Sequence, residues 1–135
     1  MSGWPRRGGW REGTQGGASP LGICSFTVDR QILVDNTYLT TFSDGRQMYT
    51  GTFKERLTNR TTGNYIDFNG SGPIFLEYNA DGTVTETDLG PQLERPEGQL
   101  LLTTGRIVWT YDSSFNVLSY TQTGGTSRDL CALLA

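Results

Sequence analysis

The sequence predicts an all-β domain, a small antiparallel β-barrel with a β-sandwich as the alternative and a short C-terminal helix. Three observations carry this: short runs of β-branched and aromatic residues with period-two alternation, turn dipeptides between those runs, and a lone helical pattern at the C-terminal end. The chain has 135 residues, enough for one domain with its own core. Residues 1–20, MSGWPRRGGWREGTQGGASP, are rich in Gly and show no alternation, so they read as a flexible leader or arm before a single β domain over 21–135.

Strands are expected at 22–29, 31–43, 46–58, 64–78, 83–89, 99–111 and 117–123. In the first, Cys24, Phe26 and Val28 share a face; in the second, Ile32, Val34, Tyr38 and Phe42 do. In 46–58 the apolar face is odd-numbered, Tyr49, Phe53 and Leu57. The run 64–78 pairs Ile66, Phe68, Ile74, Leu76 and Tyr78, and its Asn69-Gly70-Ser71-Gly72-Pro73 centre must bend, because Gly weakens pairing and Pro removes a donor. In 99–111 the face is Leu101, Ile107, Trp109 and Tyr111. Asp44-Gly45, Asp81-Gly82 and Gly124-Gly125 supply the positive φ of tight hairpins, with longer turns at 59–63 and 112–116. The stretch 90–98 reads as the longest connection and a natural lid. At the end, Thr126 or Ser127 can cap a helical turn or two with Leu130, Leu133 and Leu134 on one face.

Composition excludes several function classes. There is no His, so no Ser/His/Asp or Cys/His triad and no HExxH zinc site can form. The leader carries Arg6, Arg7 and Arg11 against Glu12, whereas the remainder holds 8 basic and 13 acidic groups and is net −5. An acidic body argues against duplex nucleic acid. No apolar run approaches the roughly 20 residues of a membrane span, and the first 20 residues lack the hydrophobic stretch of a signal peptide.

Cys24 and Cys131 bracket the domain. They are either buried thiols or one bridge, and an even count at the two ends of a Lys-poor β domain favours a bridge and an oxidising compartment. The ordered series Ile-Cys-Ser-Phe at 23–26, Phe-Ser-Asp-Gly-Arg at 42–46, Leu-Thr-Asn at 57–59, Gly-Ser-Gly-Pro at 70–73, Asp-Gly-Thr at 81–83, Leu-Thr-Thr-Gly-Arg at 102–106 and Asp-Leu-Cys-Ala-Leu-Leu at 129–134 resembles a family of small secreted actinobacterial β-rich proteins with one N-terminal and one C-terminal Cys. The resemblance covers 22–135. It implies export, a β-rich fold and a Cys24–Cys131 bridge, and it supplies no reaction and no catalytic residue.

Candidate site residues are few. Strict alternation turns Glu55 inward, where a buried carboxylate of raised pKa is the acid or base open to an enzyme without His; the alternative is a pairing with Arg30, Arg56 or Arg106. Tyr38, Tyr49, Tyr78, Trp109 and Tyr111 could line an apolar cavity, or simply fill the core. Glu77, Asn79, Asp81, Gly82, Thr83 and Asp88 have the spacing of a calcium loop, but the end residues and strand-like flanks do not fit, so no metal and no cofactor is expected. Trp4 and Trp10, set among Arg, could anchor an arm on a protein partner or a second copy. The first functional expectation is a non-enzymatic, secreted or cell-surface barrel binding a small apolar ligand or a protein partner. The others are an assembly subunit docking through its arm, and a small cyclase or isomerase using Tyr and Glu55.

Overall fold

The computed structural model describes residues 21–135. The chain enters at Leu21, which bridges to Val28 across a bent segment. Ten strands follow: β1 (Val28–Thr41), β2 (Gln47–Asn59), β3 (Tyr65–Asn69), β4 (Ile74–Tyr78), β5 (Val84–Leu89), β6 (Gln92–Glu94), β7 (Leu101–Thr103), β8 (Arg106–Tyr111), β9 (Val117–Thr123) and β10 (Ser127–Asp129). One helix is found among the described residues, α1 (Leu130–Leu134), and it closes the domain. The expected strand 22–29 forms only from Val28 onward, running straight into β1.

These strands make two antiparallel sheets. The larger has seven strands in the order β1-β2-β4-β5-β8-β9, with β3 also pairing β2; the smaller has the order β10-β7-β6. The sheets are not closed into a barrel, which corrects that expectation. Strand β1 pairs with β2 and β9 with β8, and neither meets another described strand along its far edge. The expected strand 99–111 breaks at the junction of β7 and β8. Gly105, at φ 83°, lies so close to the 124–125 backbone that an added Cβ would sit 2.5 Å from the Gly124 carbonyl oxygen. That crossing sends 101–103 to β6 and β10 and sends 106–111 to β5 and β9, so one expected strand becomes two in different sheets. The 69–73 bend likewise splits 64–78 into β3 and β4, which pair with the two ends of β2.

Two apolar clusters form the core. Ile74, Leu76, Val84, Ile107, Trp109 and Tyr111 make one, on β4, β5 and β8, with Tyr49, Phe115 and Tyr120 against it. Leu21, Val28, Leu57, Leu93, Leu100, Leu130 and Leu134 make the other, drawing the entry segment, β2, the small sheet and α1 together. Cys24 and Cys131 pack on this second cluster and are joined by a disulfide across 107 positions. The helix is capped by Asp129, whose carboxylate accepts from the Cys131 N–H at 2.9 Å, rather than by Thr126 or Ser127. The capping fixes one half of the bridge, and burial of Leu130 and Leu134 fixes the helix itself.

One irregularity changes the outcome for function. A β-bulge at Leu33 interrupts β1: Ile32 faces Glu55, but Val34 faces Lys54. Beyond it Asp35, Thr37 and Leu39 share the face of Phe53, Gly51 and Tyr49, and the even residues turn to the opposite face. Val34, Tyr38 and Phe42, expected inside from alternation alone, therefore do not continue the inward row begun by Val28, Arg30 and Ile32.

Candidate functional site

The polar groups with chemical potential sit in the core. On β5 the inward parity set by Val84 carries Glu86 and Asp88 inside, at 1 % and 2 % exposure, and Glu94 on β6 is fully buried. Each glutamate receives an aromatic donor from β8. The Trp109 indole N–H donates to Glu94 Oε1 at 2.9 Å, and the Tyr111 hydroxyl donates to Glu86 Oε1 at 2.9 Å. Both aromatics need a polar partner for their tips, so burying them selects carboxylates on the neighbouring strands. Trp109 and Tyr111 lie parallel with centroids 6.1 Å apart, and Tyr120 meets Trp109 edge-on at 4.5 Å.

Asp88 lies within hydrogen-bonding reach of both glutamates. Burial first, then the charges of Glu86 and Glu94, hold its carboxyl well above the usual aspartate range. Its Oδ1 has no hydrogen-bond partner among the described residues. Glu86 and Asp88 on β5 and Glu94 on β6 bring three buried carboxyl groups together between the large sheet and the small one. Gln92 reinforces the same seam, donating to the carbonyls of Gly72 at 2.8 Å and Leu89 at 3.2 Å. Gly72 has no room for a side chain there, since a Cβ would come within 1.8 Å of the Leu89 oxygen.

The sign of the pH dependence follows directly. A folded-state pKa raised above the unfolded one contributes stability that is complete below about pH 4, where unfolded aspartate titrates, and that is lost as pH rises through the folded value. Within that window the loss is about 1.4 kcal/mol per pH unit. Asp88→Asn keeps the shape and the hydrogen-bond donor but cannot ionise. Urea unfolding from about pH 4 to 9 should show wild type weakening relative to this variant as pH rises; parallel curves would contradict a raised Asp88 pKa.

Glu55 is inward, as alternation requires, and 1 % exposed. Its Oε1 accepts from Arg30 Nε at 2.8 Å, so the inward placement and the Arg30 pairing hold together. Arg56 instead grips Asp67 on the outer surface and stacks over Tyr65 at 4.3 Å. In that exposed pair the Asp67 carboxyl is pulled down and the Arg56 guanidinium pushed up, each first by the hydrogen bond between them.

The five aromatic residues expected around a cavity divide. Trp109 and Tyr111 are core, and Tyr49 packs on them. Tyr78 is 44 % exposed at the end of β4, where its hydroxyl donates to Gln47 at 2.8 Å; burial and then Tyr49 raise its phenol pKa. Tyr38 is 68 % exposed, on the far face of the bulged strand. Asp81 holds its hairpin by accepting from the Thr83 N–H and hydroxyl, while Asp88 of the same calcium-like spacing is in the core. Trp4 and Trp10 lie outside the described residues.

Glu86 and Asp88 escape the sequence reading because Thr-Val-Thr-Glu-Thr-Asp-Leu reads as a polar strand, and Glu94 because 90–98 reads as a connection. Counting inward parity from Val84 was the signal that could have found the first two.

The exposed counterpart of this core is the β1–β2 hairpin. Leu33, Tyr38, Leu39 and Phe42 are all more than a third exposed along β1 and its end. An open groove of about 330 Å³ beside them is lined by Phe42, Arg46, Gln47, Phe75, Glu77 and Thr87. Arg46 lies over the Phe42 ring at 5.3 Å and donates to Asp44 at 2.8 Å, which holds the turn.

The chain matches no protein-family model, no curated protein and no solved structure. What stands of the resemblance is a small β-rich protein with a Cys24–Cys131 disulfide, and no family is identified.

Proposed function

We propose that the protein is a non-enzymatic interaction module of an oxidising, extracytoplasmic setting, and that it binds an extended protein segment along the outer edge of β1. The observation that carries this reading is the exposure of that strand. It is the longest described strand, 14 residues, it ends the seven-stranded sheet, and its distal half exposes Tyr38 and Leu39 on opposite faces. An edge of that length invites a further strand, with main-chain hydrogen bonds for affinity and alternate side chains for selectivity. The usual guards against such pairing are thin here: one bulge, no Pro and no exposed Lys. The disulfide supports the compartment. Against the enzyme reading stands the arrangement of the acids, with Glu55, Glu86 and Glu94 almost fully buried and each hydrogen-bonded to a core side chain.

A displayed library of extended peptides, selected on the folded chain, tests this. Selected peptides should protect β1 amides from exchange, and Tyr38→Lys should weaken them about tenfold, or about 1.4 kcal/mol. Peptides that protect other strands, or that ignore Tyr38→Lys, would overturn the edge as the binding surface.

A further inference from the structure

We infer that residues 1–20 form a layer of the core: the leader docks on the inner face of its own large sheet, with its arginines against the carboxyl groups of Glu86 and Glu94 and with Trp4 and Trp10 on the apolar groups beside them. This surface is separate from the β1 edge and does not depend on it. Ile74, Leu76, Val84, Ile107, Trp109 and Tyr111 are at most 3 % exposed, although β4, β5 and β8 lie side by side in one sheet. Among the described residues, the partly buried hydrophobic groups packed on them, Tyr49, Phe115 and Tyr120, belong to that same sheet or its β8–β9 turn. A sheet buries a face only against a second layer. The small sheet meets this face at Glu94, the acceptor of the Trp109 indole, and builds a separate apolar cluster with Leu21, Val28 and α1.

Charge names the occupant. Glu86, Asp88 and Glu94 are at most 2 % exposed, and Asp88 Oδ1 has no hydrogen-bond partner among the described residues. Buried carboxylates are stabilised by an opposing cation. Four of the eight basic groups of the body are engaged with other acids: Arg30 with Glu55, Arg46 with Asp44, Arg56 with Asp67 and Arg60 with Asp29. The other four, Lys54, Arg95, Arg106 and Arg128, are exposed. The remaining basic residues of the chain are Arg6, Arg7 and Arg11, in a leader of net charge +2 facing a body of net charge −5. The point of attachment fits as well. Leu21 shares a cluster with Leu93, the neighbour of Glu94, so the leader starts beside β6. Arg11 lies ten residues before Leu21, a reach of up to about 33 Å in extended chain. In an extended arm Trp4, Arg6 and Trp10 point to one side. That sets a guanidinium between two indoles, the mixture of charge and apolar area that this face presents.

Trypsin digestion of the native full chain, with mass spectrometry of the cleavages after Arg6, Arg7 and Arg11, tests this. Those cleavages should be slower by about tenfold or more than in Trp4→Ser/Trp10→Ser, which keeps the same sites and changes nothing in the body. Glu94→Gln retains an acceptor for the Trp109 indole and Glu86→Gln one for the Tyr111 phenol, and each should speed the cleavages towards the rate of the Trp variant. Far-UV circular dichroism confirms that these variants fold, and the Trp variant keeps the test open should either Gln variant fail to. Equal cleavage in the native chain and the Trp variant overturns the inference. Protection that survives in a folded Gln variant seats the leader away from the carboxyl groups and overturns it too. Sedimentation velocity identifies the sheet that is covered: protection in a monomer supports docking on the chain's own sheet, whereas protection confined to a dimer makes the occupant the leader of a second copy and contradicts it.

Discussion

Removing the Cys24–Cys131 bridge should lower stability by about 4–5 kcal/mol, read as the shift in urea unfolding between oxidised and reduced chain. The bridge closes a loop of more than 100 residues in the unfolded state, and the chain-entropy cost of opening such a loop sets that magnitude. A single domain is stable by only about 5–15 kcal/mol, so the loss is roughly a quarter or more of the total. Its effect should also be local. Cys131 belongs to a five-residue helix that buries Leu130 and Leu134 beside Leu21 and Val28. Such a helix is too short to persist alone. Reduction should therefore release α1 and the entry segment before the seven-stranded sheet, seen as early exchange of amides 130–134. A Cys24→Ala/Cys131→Ala chain that unfolds with wild-type stability would contradict this.

Breaking the Arg30–Glu55 pair should be comparably severe. Both side chains are at most 2 % exposed, and the Arg30 guanidinium reaches Glu55 from the neighbouring strand at 2.8 Å. Arg30→Met removes the guanidinium that neutralises a buried carboxylate and should cost about 3–5 kcal/mol. The double replacement Arg30→Met/Glu55→Leu removes both charges from the same volume and should recover most of that loss. The comparison separates two roles for Glu55. If it serves only to neutralise Arg30, the double variant folds and keeps β1-edge binding. If the double variant remains as unstable as Arg30→Met, the loss comes from packing rather than from the lost guanidinium charge.

Much of the fold was legible from short-range chemistry. The hairpins at Gly45, Gly82 and Gly124-Gly125 require positive φ, and all four glycines adopt it. Strands β2, β5 and β9 lie close to where alternation puts them, and Glu55 faces inward because no bulge intervenes in β2. The Leu33 bulge has no Gly or Pro to announce it, and it reversed the face of everything after it, which is why Tyr38 was assigned to the interior. The three-residue strands β6 and β10 were invisible because each is held by tertiary pairing with β7 rather than by its own propensity. Closure into a barrel depends on whether two distant edges meet, and period-two patterning is the same for an open sheet and a closed one. The carboxyl cluster illustrates a further limit. Polar residues on an inward face look like solvent-facing ones until the indole of Trp109 and the phenol of Tyr111 are seen to need them.

The central claim is that β1 is the working edge of the molecule. Backbone amide exchange, measured residue by residue on the full chain without and with a selected extended peptide, tests it most directly. The account predicts that amides between Val34 and Phe42 gain protection with the peptide bound while those of β5, β8 and β9 do not change. Unchanged exchange along β1, or protection gained at β9 instead, would contradict it.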